Sequence, residues 1–284
     1  MVESIQVAYR HKGKHYPLEF HTHRHDEIYL FHQGSCRFLI GDHMYMLKPG
    51  DLLFIDGKTV HRAALFSDAD TYERSIIHFD RDWLMPLLRF LDLEDLLSIF
   101  QENKQGQLRV IRPQTISKVE ELLKRLTFLS AVDDKDKHAE QQLVLVDLLL
   151  SVKRGTERIL DKPNMRGDEK TAIAERVSKF IAEHYRESLS VERIAREVNL
   201  SKSYLSHVFK DISGQTIMQY IMGYRLSQAT HALESHPEYT IKHISKLHGF
   251  ESDAHFSRYF KSHFKVTPSK YRKQLNNHKG EYVL

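Results

Sequence analysis

Cysteine is almost absent: Cys36 stands alone among 284 residues. A lone thiol cannot close an internal disulfide, so a cross-linked secreted scaffold is excluded. Long apolar runs are missing as well. No window approaches the roughly 18 apolar residues that a membrane-spanning helix needs. The opening MVESIQVAYRHKGKHY also has no apolar core of the kind a signal peptide requires. The expected compartment is a reducing cytoplasm, with no membrane partner. A strong charge of one sign is lacking too, since 42 Lys and Arg face 38 Asp and Glu. That near balance hides an asymmetry. Residues 171–284 hold 17 Lys and Arg against 11 Asp and Glu, an excess of six, whereas residues 1–170 hold 25 against 27. The basic half would supply the salt-dependent, sequence-independent part of a nucleic-acid affinity, which leaves the near-neutral half another task.

What is present is a repeat. SVERIAREVNLSKSYLSHVFKDISGQTIMQY, from Ser190, returns as TIKHISKLHGFESDAHFSRYFKSHFKVTPSKY once one extra residue is allowed in the turn. Leu205 then falls on Phe256, Val208 on Tyr259, Phe209 on Phe260, Lys210 on Lys261, Thr216 on Thr267 and Tyr220 on Tyr271. Each copy has the grammar of a helix-turn-helix. In the first, Ser190 caps a short helix with Val191, Ile194, Ala195 and Val198 at helical spacing. Asn199 suits the left-handed turn, Leu200 plugs the angle, and Ser201 caps the next helix. That helix is expected to bury Tyr204, Leu205, Val208 and Phe209. Lys202, Ser203, Ser206, His207 and Lys210 are then left to reach base edges or phosphates in a major groove. In the second copy Gly249 takes the turn and Phe250 the plug. Ser252, Asp253, His255, Ser257, Arg258 and Lys261 are expected at its DNA face. A helix from Ile217 to Leu233, about 25 Å long, joins the copies and suits two recognition helices about one duplex turn apart.

Gly249-Phe250, Phe256, Arg258, Phe260-Lys261, Phe264, Thr267-Pro268 and Tyr271-Arg272 resemble the C-terminal signature of AraC/XylS-type transcriptional regulators, over about residues 172–274. The chain departs at Lys265, where the family often has Gly and where the first copy has Gly214.

From Pro17 to Phe79 the apolar period is two. Runs at Ile28–Phe31, Cys36–Ile40, Met44–Leu47, Leu52–Ile55 and Ser75–Phe79 are separated by Gln33-Gly34, Gly41-Asp42, Pro49-Gly50-Asp51 and Asp56-Gly57. Such spacing predicts an antiparallel sandwich or barrel of the jelly-roll kind. Within it HTHRHDEIYLFHQG places His21, His23 and Glu27 at a spacing that resembles the first cupin motif, and His61 would be the later cupin histidine. Two His at i, i+2 share one strand face. The resemblance to AraC-type regulators implies a cupin-like sensor whose mouth receives an effector. His21, His23, Glu27 and His61, beside Tyr29 and Phe38, are its expected lining, with a sugar or related small polar metabolite as the expected ligand. The same four residues offer a metal-ligand set, although the second motif has Asp56 and Lys58 where cupins usually have Pro and Gly. A metal-dependent cupin enzyme fused to a DNA-binding domain is the alternative reading. No cofactor and no enzymatic activity are expected. His25, offset from the others, is expected at the rim.

After Phe79 the pattern turns helical, at Arg81–Phe90 and Leu93–Phe100. A strand-like run follows at Leu108–Ile111. Two longer helices come next: Gln114–Leu129, with Ile116, Val119, Leu123 and Leu126, and Lys137–Lys153, with Leu143, Val146 and Leu150. The resemblance puts a homodimer contact on this helical pair. The expected fold is α+β. Residues 1–154 form a cupin-like effector-binding and dimerisation domain, 155–170 a linker, and 171–284 an all-α double helix-turn-helix domain that opens with a helix at Ala172–Tyr185. The implied function is a ligand-responsive, sequence-specific transcription regulator, an activator that contacts double-stranded DNA and RNA polymerase.

Overall fold

Two periodicities divide the chain physically. A computed structural model describes residues 4–13, 20–65, 72–100, 116–156 and 169–277. Its strands are β1 (Ile5–Lys12), β2 (Asp26–Gln33), β3 (Cys36–Ile40), β4 (His43–Met46), β5 (Leu52–Ile55), β6 (His61–Leu65) and β7 (Glu73–Phe79). They form two antiparallel sheets, ordered β1-β7-β2-β5 and β4-β3-β6. β1 and β6 are additions to the expected runs. IQVAYRHK alternates, but its charged end masks the signal, and HRAAL offers only small or polar side chains.

Side chains on successive strand residues point to opposite faces, and here both faces are used. Ile28, Leu30, Leu52, Phe54, Ile77 and Phe79 pack outward on a helical layer, while Tyr29, Phe31, Leu53 and Ile55 pack inward on Cys36, Phe38, Ile40 and Ala63 of the other sheet. Burial on both faces explains why β2 and β5 read as continuous apolar runs. The helical layer is α1 (Arg81–Phe90), a 3₁₀ turn (Glu94–Phe100), α2 (Ile116–Ala131) and α3 (Lys137–Thr156). Asp80 caps α1 at the Asp82 amide, and Arg81 grips the buried Asp26 with two bonds of 2.8 and 2.9 Å, which ties α1 to β2.

The stripe of α3 differs from expectation. Leu143 is 58% exposed, whereas Val144, Leu145, Val146, Leu148, Leu149 and Val152 are buried. A helix clamped between α2 and the α1 layer buries a face wider than a simple i, i+3 stripe. α3 runs through Gly155 and Thr156, and Glu169 and Lys170 already open the next helix, so the expected linker loses both its ends. The expected strand at 108–111 lies outside the described residues.

The C-terminal half is all helical: α4 (Glu169–His184), α5 (Val191–Glu197), α6 (Lys202–Ser213), α7 (Ile217–Ser235), α8 (Ile241–Leu247), α9 (Asp253–Phe264) and α10 (Pro268–Asn277). α7 is buried nearly all round and belongs to two cores. Ile217, Tyr220, Ile221 and Tyr224 pack with α4 to α6, and Leu226, Ala229, Ala232 and Leu233 pack with α8 and α9. The first of these cores also takes in Phe20, Leu39, Met44, Val60 and Ala64. The outer face of the smaller sheet is therefore covered by the C-terminal half.

Candidate functional site

The two helix-turn-helix units share one turn design. Asn199 (φ 55°) and Gly249 (φ 75°) both sit in the left-handed region. The Leu200 amide bonds the Ala195 carbonyl, and the Phe250 amide bonds the Ser245 carbonyl, each at 3.0 Å. Gly249 is required for a further reason: a Cβ there would stand 2.7 Å from the Tyr185 carbonyl oxygen. Ser201 and Ser252 cap α6 and α9 by accepting from the amides of Tyr204 and His255. Lys265 adopts φ 61° at the end of α9, as Gly214 does with φ 75° at the end of α6, so the departure at Lys265 leaves the turn unchanged.

On α6, Lys202, Ser203, His207 and Lys210 are exposed and Ser206 is half-buried; on α9, Ser252, Asp253, Arg258 and Lys261 are exposed and Ser257 is half-buried. Tyr204, expected inside, is 43% exposed and joins the outer face of α6. His255, expected outside, leans on Phe250 and Tyr259, and its Nδ1 is buried. The offset of 51 that equates these two positions left the distinction invisible. Lys202 is ion-paired with Glu192, whereas Arg258, Lys210 and Lys261 have no carboxylate partner among the described residues. The units are locked together at the end of α4. Buried Arg225 of α7 donates to the carbonyls of Tyr185 and Glu187, both at 2.7 Å, and the Tyr185 ring packs on Tyr224 and His248.

The N-terminal half holds a cluster around Glu27, which is buried on β2 and faces the interior. Its Oε2 stands 2.9 Å from His23 Nε2, 2.9 Å from His78 Nε2 and 3.3 Å from His61 Nε2. Burial pushes the Glu27 carboxyl up, but the three facing imidazoles outweigh it and hold the group well below the usual carboxylate range. His21 joins through its ring, 4.2 Å from that of His61, and through paired backbone bonds to His61. The candidate ligand atoms of His21, His23, Glu27 and His61 all lie within 4.8 Å of one another.

His78 escaped the sequence reading although its signal was there. SIIHF alternates, which puts His78 on the face opposite Ile77 and Phe79, and β7 pairs it in register with Glu27. Phe38 reaches the cluster, lying parallel to the His61 ring at 6.2 Å. Tyr29 sits deeper in the interior, its hydroxyl 2.6 Å from that of Tyr72. His25 is buried, not at the rim. Its carbonyl accepts from His23 Nδ1, and burial pushes its own imidazole down to about 4. Gly57 makes this fit possible, because a Cβ there would stand 2.3 Å from His23 Nδ1 and 2.1 Å from the His25 carbonyl oxygen.

His21 and His23, expected on one face of a strand, lie ahead of β2 on a segment whose only β pairing among the described residues is the isolated bridge from His21 to His61, and this segment also touches the C-terminal half. Phe20 meets Tyr220 edge-on at 4.6 Å and lies against Gly223 of α7, and Thr22 Oγ1 donates to the Ser227 carbonyl at 3.4 Å. Arg37 of β3 donates to the carbonyls of Asp211 and Ile212, 2.8 and 2.5 Å away, in the last turn of α6. Those carbonyls have no partner within their own helix, so β3 supplies one.

Residues 194–274 match the model of a helix-turn-helix domain, and residues 6–131 match that of an AraC-like ligand binding domain. Among curated relatives, the Msm operon regulatory protein of Streptococcus mutans is 38% identical over 37% of this chain and 38% of its own length. The probable transcription factor PqrA of Proteus vulgaris is 37% identical over 30% of this chain and 70% of its own. The transcriptional activator RhaS of Escherichia fergusonii is 25% identical over 89% of this chain and 87% of its own.

Proposed function

The chain belongs to the AraC family of transcriptional regulators, DNA-binding proteins and not enzymes, and from that premise we propose that it is an activator switched by a small polar ligand, a sugar or a related metabolite, received by the sensor at its histidine and Glu27 cluster. The observation that carries this reading is the constellation of half-buried His21, His23 and His78 and buried His61 around the buried Glu27. Imidazoles and a carboxylate are the groups that bond hydroxyls from two sides, and Phe38 gives an apolar floor. Activation is favoured by the RhaS relative, which is an activator by name and aligns along most of both chains. Such an activator works in the cytoplasm through RNA polymerase.

Exposed Phe128 on α2 and Leu143 on α3, 67% and 58% accessible, support a homodimer through the helical layer. Thermal unfolding of the full chain against a panel of sugars, polyols and hydroxy acids tests the sensor. A ligand at 100 times its dissociation constant stabilises by about 2.7 kcal/mol. Glu27→Gln and His23→Ala should lose that shift and keep the operator affinity of the ligand-free protein within a few-fold. A ligand that stabilises the wild type and both variants equally would place the effector elsewhere.

A further inference from the structure

The two recognition helices carry different chemistry. α9 shows Arg258 and Lys261 with no carboxylate partner among the described residues, whereas α6 has Lys202 tied to Glu192 and exposes Ser203, Tyr204, His207 and Lys210. At about 100° per residue, the buried Leu205, Val208, Phe209 and Ile212 define the inner side of α6. Ser203, His207 and Lys210 stand roughly opposite, where base edges would lie. Tyr204 is turned about 90° from the buried side, onto a flank. A helix with its side chains is about 10–12 Å across and the major groove about 12 Å wide, so the flanks of a helix in that groove meet its walls, which are phosphates. Lys202 lies on the other flank. Asp211, on the Tyr204 flank about two turns on, is paired with Lys170 at 3.3 Å. Neither lysine of α6 serves this wall, and Tyr204 is what α6 offers there.

Nothing inside the protein accounts for this side chain. Tyr204 is 43% exposed, its amide donates to Ser201 Oγ, and its hydroxyl has no hydrogen-bond partner among the described residues. The equivalent residue of the second copy, His255, is turned onto Phe250 and Tyr259 with its Nδ1 buried. The first copy has the smaller Leu200 where the second has Phe250, and gives Tyr204 no such wall. Arg37 holds the far end of α6, at the carbonyls of Asp211 and Ile212, and residues 201–204 at its start are all exposed.

We propose that the Tyr204 hydroxyl donates a hydrogen bond to one backbone phosphate at the wall of the major groove, so that the first recognition helix is set in register by a neutral contact. A phosphate oxygen only accepts and a phenol donates, and the bond is strengthened by the charge on the acceptor. Tyrosine brings its hydroxyl on a rigid ring with two torsions, so fixing it loses less freedom than ordering a lysine stem. A neutral donor displaces no counterion. Its contribution therefore persists as salt rises, where that of a lysine fades. The contact belongs to the DNA-binding half and is independent of the effector.

Titration of the full chain with a duplex that the wild type selects from a random library, and with the same duplex carrying one methylphosphonate at a time, tests it. Tyr204→Phe keeps the ring and removes only the hydroxyl, at an exposed position, so its thermal unfolding should match that of the wild type. It should bind the selected duplex about ten-fold more weakly, with every base preference and the slope of log affinity against log salt unchanged. A scrambled duplex bound at low salt should show the same loss, since a phosphate contact carries no sequence information. One methylphosphonate, about one duplex turn from the base pair at which Arg258→Ala relaxes preference, should weaken the wild type about ten-fold more than it weakens Tyr204→Phe. Wild-type affinity in Tyr204→Phe on both duplexes, or methylphosphonate losses equal in the two proteins at every position, overturns the contact. A base preference relaxed by Tyr204→Phe would make Tyr204 a base reader, and a flattened salt slope would assign the loss to a displaced lysine. Either result overturns the neutral phosphate contact.

Discussion

Gly223 is a glycine in the middle of a long helix, and its cost there should be recovered by alanine. An interior Gly→Ala change stabilises a helix by about 1 kcal/mol, through backbone entropy and propensity. In this chain the gain should be reversed by one contact. A Cβ on residue 223 would stand 2.9 Å from Phe20 Cδ2, whereas carbon atoms rest at about 3.5 Å or more. Phe20 cannot retreat freely. It is buried, meets Tyr220 edge-on at 4.6 Å, and carries the Arg62 guanidinium on its ring at 5.3 Å. Overpacking of this kind costs about 1–3 kcal/mol. Gly223→Ala alone should therefore be neutral or destabilise the full chain by up to about 2 kcal/mol. In a Phe20→Ala background the space is vacant, and the same change should stabilise by about 1 kcal/mol. Urea unfolding of the wild type, both single variants and the double variant yields the coupling, expected at about 1–3 kcal/mol. Equal stabilisation by Gly223→Ala in both backgrounds would refute the packing of the sensor on α7.

Two further perturbations address the DNA-binding half. Arg258, exposed on α9 with no carboxylate partner among the described residues, can present its planar fork to guanine. Arg258→Ala should cost about 1–3 kcal/mol on the cognate site and relax preference at one base position. Lys210→Ala should weaken all sequences alike and flatten the log affinity against log salt by about one unit. A site library titrated over a salt series separates them, and an unchanged base preference removes Arg258 from the reading residues. Glu234 of α7 accepts from the Tyr271 hydroxyl at 2.8 Å, and burial raises its carboxyl to about 7. The folded state then holds a proton that the unfolded chain releases above about 4.3, so this group's stabilisation is full at low pH and lost as pH rises to about 7. Glu234→Gln keeps the acceptor without the charge. It should match the wild type near pH 4.5 and exceed it by about 2 kcal/mol at pH 8, half-burial trimming the full linkage value. Parallel stability curves for the two proteins across that range would rule the effect out.

Much of the fold was written locally. A helix-turn-helix depends on caps, a left-handed turn residue and an apolar plug within about 20 residues. Ser190, Asn199, Leu200 and Ser201, and their second-copy counterparts, therefore declare it in sequence order. Short apolar runs between turn signals declared β2, β3, β4, β5 and β7 for the same reason. His21, His23, Glu27 and His61 were also legible, as a known spacing, although His21 and His23 lie on the segment before β2 and not on a strand.

Tertiary structure decided what no local pattern carries. His78 joins Glu27 only because β7 pairs with β2 in that register, about 50 residues away in the chain. His25 is inside and Leu143 outside because burial depends on which element lies across from each, and the expected stripe on α3 assumed one neighbour where there are two. Tyr204 and His255 occupy equivalent repeat positions yet face different ways, since Phe250 offers the His255 ring a wall. The covering of the β4-β3-β6 face by α4, α6 and α7 has no sequence signature. Phe20, Arg37 and Met44 each look ordinary in their own segment, and become an interface only when the two halves meet. Short-range sterics and hydrogen bonding determine helices, turns and strand faces, and they are written in neighbouring residues. Register, docking and the company a buried carboxylate keeps are set by residues far apart in the chain, and only folding brings them together.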